Sequence, residues 1–219
     1  MASPSTPELN PAAYRRWISA FWTAAPLVMR GVVVEGAEHV PLTGRLLLVI
    51  NHLSYLDTPI VGMAMPRLVT PIVGERFEHS VFTPVLTAAG SIYINRGEVD
   101  RTALRRASAV LENEGCLAVA VEGQRSPTGA LTHGKPGAAF LATRTGSPIV
   151  PAAIWGTERI LPALKRLRRA EVHVRFGEPF RLPHGRIRGA ELDHHTEYIM
   201  RQLAALLPER YRGVYSHMS

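Results

Sequence analysis

The chain has 219 residues, of which 46% are apolar and 20% are charged. This composition suits one α/β domain with a sizeable core and excludes a disordered chain. The net charge of +7 favours a polyanionic partner, which leaves nucleic acid, an anionic membrane surface and a phosphorylated substrate as classes. The single cysteine, Cys116, excludes an intrachain disulfide and is predicted to be a small buried residue.

The N-terminal region contains no apolar stretch that reaches the roughly 20 residues of a membrane span. Its longest charge-free stretch, residues 17–29, has 13 residues and contains Pro26. The start of the chain also has no clear signal-peptide pattern. We therefore expect the protein to stay on the cytoplasmic side.

Residues 1–11 contain three prolines and two serines and are predicted to be a loose arm. From residue 14 onward the apolar residues recur with helical spacing. An aromatic face beside Arg15 and Arg16 is typical of a helix at the headgroup boundary, whereas packing on the domain core explains the same spacing. Residues 1–30 are thus predicted as an arm with an amphipathic, membrane-contacting helix. Its apolar face comprises Tyr14, Trp17, Ile18, Phe21, Trp22 and Ala25.

Strands and helices alternate along the rest of the chain. Strands are predicted over residues 32–34, 45–50, 69–73, 91–95, 116–121, 149–154 and 171–176. Helices are predicted over residues 54–65, 77–88, 100–113, 137–145 and 190–207. This alternation favours a single α/β domain over residues 31–219, with a largely parallel central sheet flanked by helices.

The first polar cluster follows the apolar strand 45–50 directly and contains Asn51, His52 and Asp57. In open α/β sheets, ligands bind beyond the carboxyl ends of the strands. A carboxylate at this spacing can fold back onto the imidazole, fix its tautomer and stabilise the imidazolium. His52 is then a candidate general base for the hydroxyl of a bound alcohol. A turn histidine bonded to a helix-capping aspartate has the same spacing.

Two further clusters follow later strands. Arg96 comes after the strand 91–95, in a turn that contains glycine, and its guanidinium can hold a phosphate bidentately. Glu122, Gly123 and Arg125 follow the strand 116–121, and the glycine allows the backbone to approach a ligand closely. Glu122 and Arg125 can pair with each other or with a substrate. Alternatively, Arg96 is simply an exposed arginine in a turn, and Glu122 and Arg125 form a surface ion pair of little energy.

Taken together, these clusters resemble four ordered sequence blocks of the glycerolipid acyltransferases. The blocks are Asn-His-x-Ser-x-Leu-Asp from Asn51, Gly-x-Ile-x-Ile-x-Arg ending at Arg96, Glu-Gly-x-Arg-Ser from Glu122, and Pro-Ile-Val-Pro from Pro148. The chain is most similar to the bacterial 1-acylglycerol-3-phosphate acyltransferases, and the resemblance extends over residues 32–177. Residues 31–219 would then form the acyltransferase domain.

The resemblance implies a mechanism for the first block. His52, oriented by Asp57, would take the proton from the free hydroxyl of a lysophospholipid acceptor. The acceptor oxygen would then attack an acyl thioester directly, without an acyl-enzyme. The implied co-substrate is acyl-CoA or an acyl carrier protein thioester, and no cofactor and no metal is expected.

The resemblance also assigns substrate-binding residues. Arg96, Glu122, Gly123 and Arg125 would hold the glycerol phosphate, and Lys135 is a further candidate contact for it. The implied acceptor is 1-acylglycerol 3-phosphate. Another lysophospholipid, a glycolipid or an amino-lipid stays open, because this chain departs from the family pattern around the third block. Ala120 and Val121 replace Phe-Pro, Gln124 replaces Thr, and Asn95 replaces Asp in the second block.

Three other functional classes account for part of the sequence. A nucleic-acid-binding module would explain the net charge, but no recognisable binding motif is present, so we expect no nucleic-acid partner. A metal-dependent hydrolase would have only His52, Asp57 and Glu122 as ligands. A non-catalytic lipid-binding relative would bind membranes without turnover. The basic segment 165–169 is expected either to contact anionic headgroups or to be merely solvated.

Overall fold

The computed structural model describes residues 8–94 and 100–217 of the chain. Its strands are β1 (Met29–Glu35), β2 (Leu46–Ile50), β3 (Thr70–Gly74), β4 (Ile92–Ile94), β5 (Cys116–Ala120), β6 (Ile149–Trp155) and β7 (Ala170–Phe176). Its α-helices are α1 (Pro11–Val28), α2 (Asp57–Ala64), α3 (Thr83–Ala88), α4 (Arg101–Glu112), α5 (Gly137–Thr145), α6 (Ile160–Leu164) and α7 (Ala190–Leu206).

The described strands form one sheet in the order β1-β7-β6-β2-β5-β3-β4. All neighbouring strands are parallel except β6 and β7, which are antiparallel. The predicted α/β fold with a largely parallel sheet is confirmed. Because β2, β5 and β6 are parallel neighbours, they end at the same side of the sheet, which we call the carboxyl edge. The reversal between β6 and β7 means that β7, and with it β1, begins at this edge.

The two faces of the sheet are covered by different helices, and β2 is buried between them. Leu47 and Val49 of β2 point into one core, whereas Leu46 and Leu48 point into the other. This alternation explains why the strand is apolar at every position, as expected for a strand covered on both faces. The first core includes Leu111, Leu141 and Leu203 of α4, α5 and α7, and the second includes Tyr14, Ile60 and Ile160 of α1, α2 and α6.

Two predicted helices are shorter in the structure. Helix α2 begins at Asp57 instead of residue 54, because the Asp57 side chain accepts hydrogen bonds from the backbone N–H groups of Leu53 and Ser54 and holds them in a turn. The helix predicted over 77–88 is confined to Thr83–Ala88. The Thr83 hydroxyl donates a hydrogen bond to the Ser80 carbonyl at 2.7 Å. This bond stabilises a turn before Thr83, where the helix was predicted to begin.

Helix α1 packs the middle of its apolar face on the domain and leaves the two margins of that face partly exposed. Tyr14 and Ala25 are buried, and Tyr14 reaches α2 at Gly62, where a Cβ atom would lie 2.8 Å from the tyrosine oxygen. Trp17 and Trp22 lie at the margins of this face and are 40% and 43% exposed, and the Trp22 indole donates to the Met63 carbonyl of α2 at 3.2 Å. The core-packing alternative therefore describes the middle of the predicted face, and membrane contact of its partly exposed margins stays a prediction. Within residues 8–94 and 100–217, no helix is both long and apolar enough to cross a bilayer.

Candidate active site

Three polar residues converge at the carboxyl edge, each just after the end of a central strand. His52 follows β2, Glu122 follows β5 and Thr157 follows β6. Asn51 fixes the end of β2, since its amide donates to the Ile154 carbonyl at 2.8 Å and accepts from the Ile154 N–H at 2.8 Å. This side chain extends the β2–β6 hydrogen bonding by one step and thereby positions the residue that follows, His52.

His52 and Asp57 form a buried hydrogen-bonded pair. His52 Nδ1 lies 2.8 Å from Asp57 Oδ2, and the same oxygen accepts the backbone N–H groups of Leu53 at 2.6 Å and Ser54 at 2.7 Å. The carboxylate is completely buried in the first turn of α2. With Nδ1 donating to Asp57, the neutral imidazole carries its free lone pair on Nε2, and His52 lines a large cavity.

Thr157 completes the environment of the carboxylate and was missed by the sequence analysis. Its hydroxyl donates to Asp57 Oδ1 at 2.6 Å, and the residue is buried. Both oxygens of Asp57 are thus satisfied by protein donors. A signal for Thr157 was present in the sequence, because it is a polar residue that follows an apolar strand just as His52 does.

Glu122 is directed into the protein. Its Oε1 lies 3.3 Å from the His52 backbone nitrogen, and its Oε2 accepts from the Thr132 N–H at 2.9 Å and the Thr132 hydroxyl at 2.8 Å. Burial raises the pKa of Glu122 above its ordinary value, while these hydrogen bonds act in the opposite direction. The predicted alternative of an ion pair with Arg125 is not formed. The geometry instead indicates that Glu122 holds the backbone of His52.

Arg125 lies against Tyr55, a second residue that sequence reasoning missed. The guanidinium carbon is 3.8 Å from the centroid of the tyrosine ring, and Nη2 donates to the tyrosine oxygen at 2.8 Å. The next residue, Ser126, donates its N–H to the His52 carbonyl at 2.8 Å. The Arg125 loop is therefore fastened to the His52 turn, and the cation–π contact orients the guanidinium beside the site.

Gly123 and Lys135 lie together on the wall of the same cavity. Gly123 has a φ of +70°, and a Cβ atom there would lie 2.7 Å from Lys135 Cδ. The Lys135 backbone N–H donates to the Val121 carbonyl at 2.8 Å, which brings the lysine back over the glycine. The structure thus brings together His52, Asp57, Gly123 and Lys135 with the Arg125 loop. Arg96, the remaining predicted site residue, lies outside the described residues.

The cavity beside His52 has a volume of about 1020 Å³ and a mostly apolar lining. The cavity lies beside the point where β3 and β5 separate. Their pairing ends at Pro71 and Ala118, and the rest of β3 pairs with β4. Proline lacks the N–H that would continue a ladder, which is consistent with a separation there. The lining includes Ile50, Val69, Ile72, Val85, Leu86 and Leu104.

This chain is similar to known acyltransferases in both sequence and fold. A family model described as acyltransferase matches residues 31–155. A 1-acyl-sn-glycerol-3-phosphate acyltransferase from Cocos nucifera is 25% identical over 196 residues, which cover 84% of this chain and 60% of that protein. This chain therefore spans about 60% of the length of that curated relative. The crystal structure of the 1-acyl-sn-glycerophosphate acyltransferase PlsC from Thermotoga maritima matches with a TM-score of 0.67 and 26% identity, covering 87% of this chain and 77% of that one.

Proposed function

This chain belongs to the acyltransferase family, and we propose that it transfers a fatty acyl chain from an acyl thioester to the free hydroxyl of 1-acylglycerol 3-phosphate. The product is phosphatidic acid. The observation that carries this proposal is the buried His52–Asp57 pair at the wall of an apolar cavity. Similarity to proteins described as 1-acyl-sn-glycerol-3-phosphate acyltransferases supports the choice of acceptor.

His52 acts as the general base in this proposal. Its Nε2 takes the proton of the acceptor hydroxyl as the oxygen attacks the thioester carbonyl carbon, and Asp57 stabilises the imidazolium that forms. When the tetrahedral intermediate collapses, the carbon–sulfur bond breaks and the thiolate takes the proton from His52. No bond between enzyme and acyl group forms. Base catalysis of this kind contributes roughly 10²- to 10⁴-fold, and positioning of the two substrates supplies much of the rest.

The acceptor phosphate is held by the cations beside His52. Arg125 has its guanidinium oriented by Tyr55, and Lys135 lies over Gly123 on the cavity wall. A guanidinium and an ammonium group at one site suit a phosphate, the first bidentately and the second as a point charge. Arg96 is proposed to join them, on the resemblance alone. Glu122 contributes by holding the His52 turn in position.

The apolar cavity is proposed to hold a fatty acyl chain. Its volume of about 1020 Å³ is at the upper end of the usual size of ligand pockets, as expected for a long and flexible hydrocarbon. Burial of each methylene group contributes about 0.8 kcal/mol, so an apolar lining supplies much of the binding energy for such a chain.

The thioester donor is proposed to be acyl-CoA or acylated acyl carrier protein, both of which are acidic and suit a chain with a net charge of +7. No cofactor takes part. We propose that residues 1–30 form a membrane-contacting segment and that residues 31–219 form the acyltransferase domain. The enzyme would work peripherally at the cytoplasmic face of the membrane, where its lipid acceptor lies.

The test is thiol release from palmitoyl- and oleoyl-CoA in the presence of different acceptors. Released CoA is detected with a thiol reagent, and the enzyme contributes little background because its single cysteine, Cys116, is buried and has its pKa raised to about 12 by burial. Release that requires lysophosphatidic acid is expected. Faster release with lysophosphatidylcholine, a lyso-glycolipid or a lyso-amino-lipid would reassign the acceptor. No release with any acceptor, using either donor type, would refute acyl transfer.

A further inference from the structure

The loop of residues 165–169, between α6 and β7, presents an isolated leucine among cations. Leu167 is 98% exposed. Its neighbours Lys165, Arg166, Arg168 and Arg169 are all exposed, and within the described parts of the chain none of their side chains forms an ion pair or hydrogen bond. A large apolar side chain at the tip of a strongly basic loop has no partner to pack against in the isolated protein.

The backbone makes this leucine more unusual. Helix α6 ends in a Schellman motif, in which the Leu167 N–H donates to the Leu164 carbonyl at 3.0 Å and the Arg168 N–H donates to the Ala163 carbonyl at 2.9 Å. Leu167 occupies the left-handed position of this motif, with a φ of +54°, where glycine is the preferred residue. The leucine therefore carries a conformational cost and gains no burial in return. Such an outlier points to a contact outside the chain.

The topology places this loop at the carboxyl edge, on the same side of the sheet as His52. Strand β7 begins at Ala170 beyond the end of β6, because Trp155 pairs with His173 in an antiparallel register. Only β6 separates β7 from β2, so the start of β7 lies about 10 Å sideways from the line of β2. Strand β1 also begins there, with Met29 paired to Ala170.

The end of α1 extends the same surface. Leu27, which is 71% exposed, and the exposed Arg30 flank Met29, the partner of Ala170. Two exposed leucines and five cations thus meet at one side of the candidate active site. We call this surface the Leu167 patch. It comprises Leu27, Arg30 and residues 165–169.

We propose that the Leu167 patch docks the protein on an anionic lipid bilayer, with Leu167 inserted among the acyl chains and the surrounding cations bound to headgroup phosphates. Charge complementarity favours an anionic surface, and the exposed leucines favour a bilayer over a nucleic acid, which offers them no apolar interior. The proposal deepens the proposed function, on which it rests for the lipid substrate, because it places the candidate active site against the membrane that contains the acceptor.

Vesicle sedimentation tests the proposal without any acyl transfer. The full chain is mixed with vesicles of phosphatidylcholine alone or of equimolar phosphatidylcholine and phosphatidylglycerol. We expect binding to the anionic vesicles only. Leu167→Gly should weaken it on the order of tenfold, because one leucine is no longer buried in lipid. The melting temperature should stay the same or rise, since glycine relieves the left-handed strain. Replacing Arg166 and Arg168 by Gln should weaken binding about fivefold per charge.

A matched control is available at the opposite side of the sheet. Leu42 is 67% exposed in the loop between β1 and β2, and this loop lies at the edge away from His52 because β1 ends and β2 begins there. Leu42→Gly removes an exposed leucine of the same kind from a loop. We expect its affinity for anionic vesicles to equal that of the unaltered protein.

A fluorescent label gives a second, local readout. Cys116 is buried, so a polarity-sensitive dye reacts selectively at the introduced thiol of Leu167→Cys or of Leu42→Cys. With anionic vesicles, we expect a blue shift of the emission for the first variant and none for the second.

Equal vesicle affinity of Leu167→Gly and the unaltered protein, or an unshifted label at position 167, would overturn the proposal. Oligonucleotide binding that matches the vesicle affinity and is unaffected by Leu167→Gly would overturn it in favour of general polyanion binding. Failure of the proposed function gives a different pattern, since acyl transfer would then be absent in detergent micelles while vesicle binding persisted.

Discussion

Thr157 Oγ1 donates a 2.6 Å hydrogen bond to Asp57 Oδ1, and this bond connects residues that lie 100 positions apart. It joins the turn after β6 to the first turn of α2. Because Oδ2 of Asp57 already accepts from His52, Leu53 and Ser54, the bond from Thr157 fixes the remaining freedom of the carboxylate. We infer that Thr157 is a positioning residue, acting on His52 through Asp57.

Replacing Thr157 by Val keeps the shape of the side chain and removes the donor. A buried carboxylate oxygen is then left without a partner, which costs about 1–3 kcal/mol. We expect kcat to fall roughly tenfold with little change in KM, since no substrate contact is lost. Thr157→Ser should restore most of the activity. A valine variant that is less heat-stable yet keeps an unaltered kcat would show that the bond serves only the fold.

The sequence indicates the His52–Asp57 pair because both residues belong to one turn and their spacing is visible. Thr157 and Thr132 were missed because their roles depend on which strands are neighbours. Only the order β6-β2-β5 brings the ends of these strands beside His52. Glu122 was predicted to pair with Arg125 or a substrate. Its observed partners, the His52 backbone and Thr132, also depend on which strands are neighbours.

A local sequence signal was accurate where one residue type with a strong conformational preference marks the boundary of an element. Helix α5 ends at Thr145, as predicted, and Gly146 follows it with a φ of +64°. The helix predicted over 77–88 starts only at Thr83, because the Thr83 side chain bonds to the Ser80 backbone, which an apolar periodicity does not show. Likewise, the separation of β3 from β5 that accommodates the cavity is a property of the assembled sheet.

Glu122 predicts a specific pH dependence of stability. Burial raises its pKa in the folded protein above the ordinary value of 4.5, so the folded state holds this proton more tightly than the unfolded chain. The stabilisation that this proton provides is present below pH 4.5. It is lost as the pH rises through the pKa that Glu122 has in the folded protein. Chemical denaturation across this range should therefore show the unaltered protein losing stability relative to Glu122→Gln. Parallel curves for the two proteins would contradict the prediction.

The apolar cavity predicts a change of acyl-chain preference. Ser108 of α4 lines the cavity, and a phenylalanine there would occupy part of its volume. For Ser108→Phe, we expect kcat/KM to fall about tenfold for palmitoyl-CoA and to be largely kept for decanoyl-CoA. Thr102→Phe is the matched control, because Thr102 is exposed on the same helix and does not line the cavity. An equal loss for both chain lengths would place the acyl chain elsewhere.

The stacking of Arg125 on Tyr55 predicts that lysine is a poor substitute. Lysine keeps the charge but loses the planar contact and the bidentate geometry. We expect Arg125→Lys to raise the KM for lysophosphatidic acid about tenfold, equivalent to one charge-assisted hydrogen bond. Activity on monoacylglycerol, which has no phosphate, should change little. A proportional loss with both acceptors would show that Arg125 shapes the loop and does not bind phosphate.

Single substitutions test most directly whether His52, oriented by Asp57, is the base in acyl transfer. Acceptor-dependent thiol release from oleoyl-CoA is measured for His52→Ala and Asp57→Asn, with melting temperatures recorded for both variants. We predict that each folded variant loses roughly 10²- to 10⁴-fold in kcat. Release by folded His52→Ala within tenfold of the unaltered enzyme would contradict the assignment.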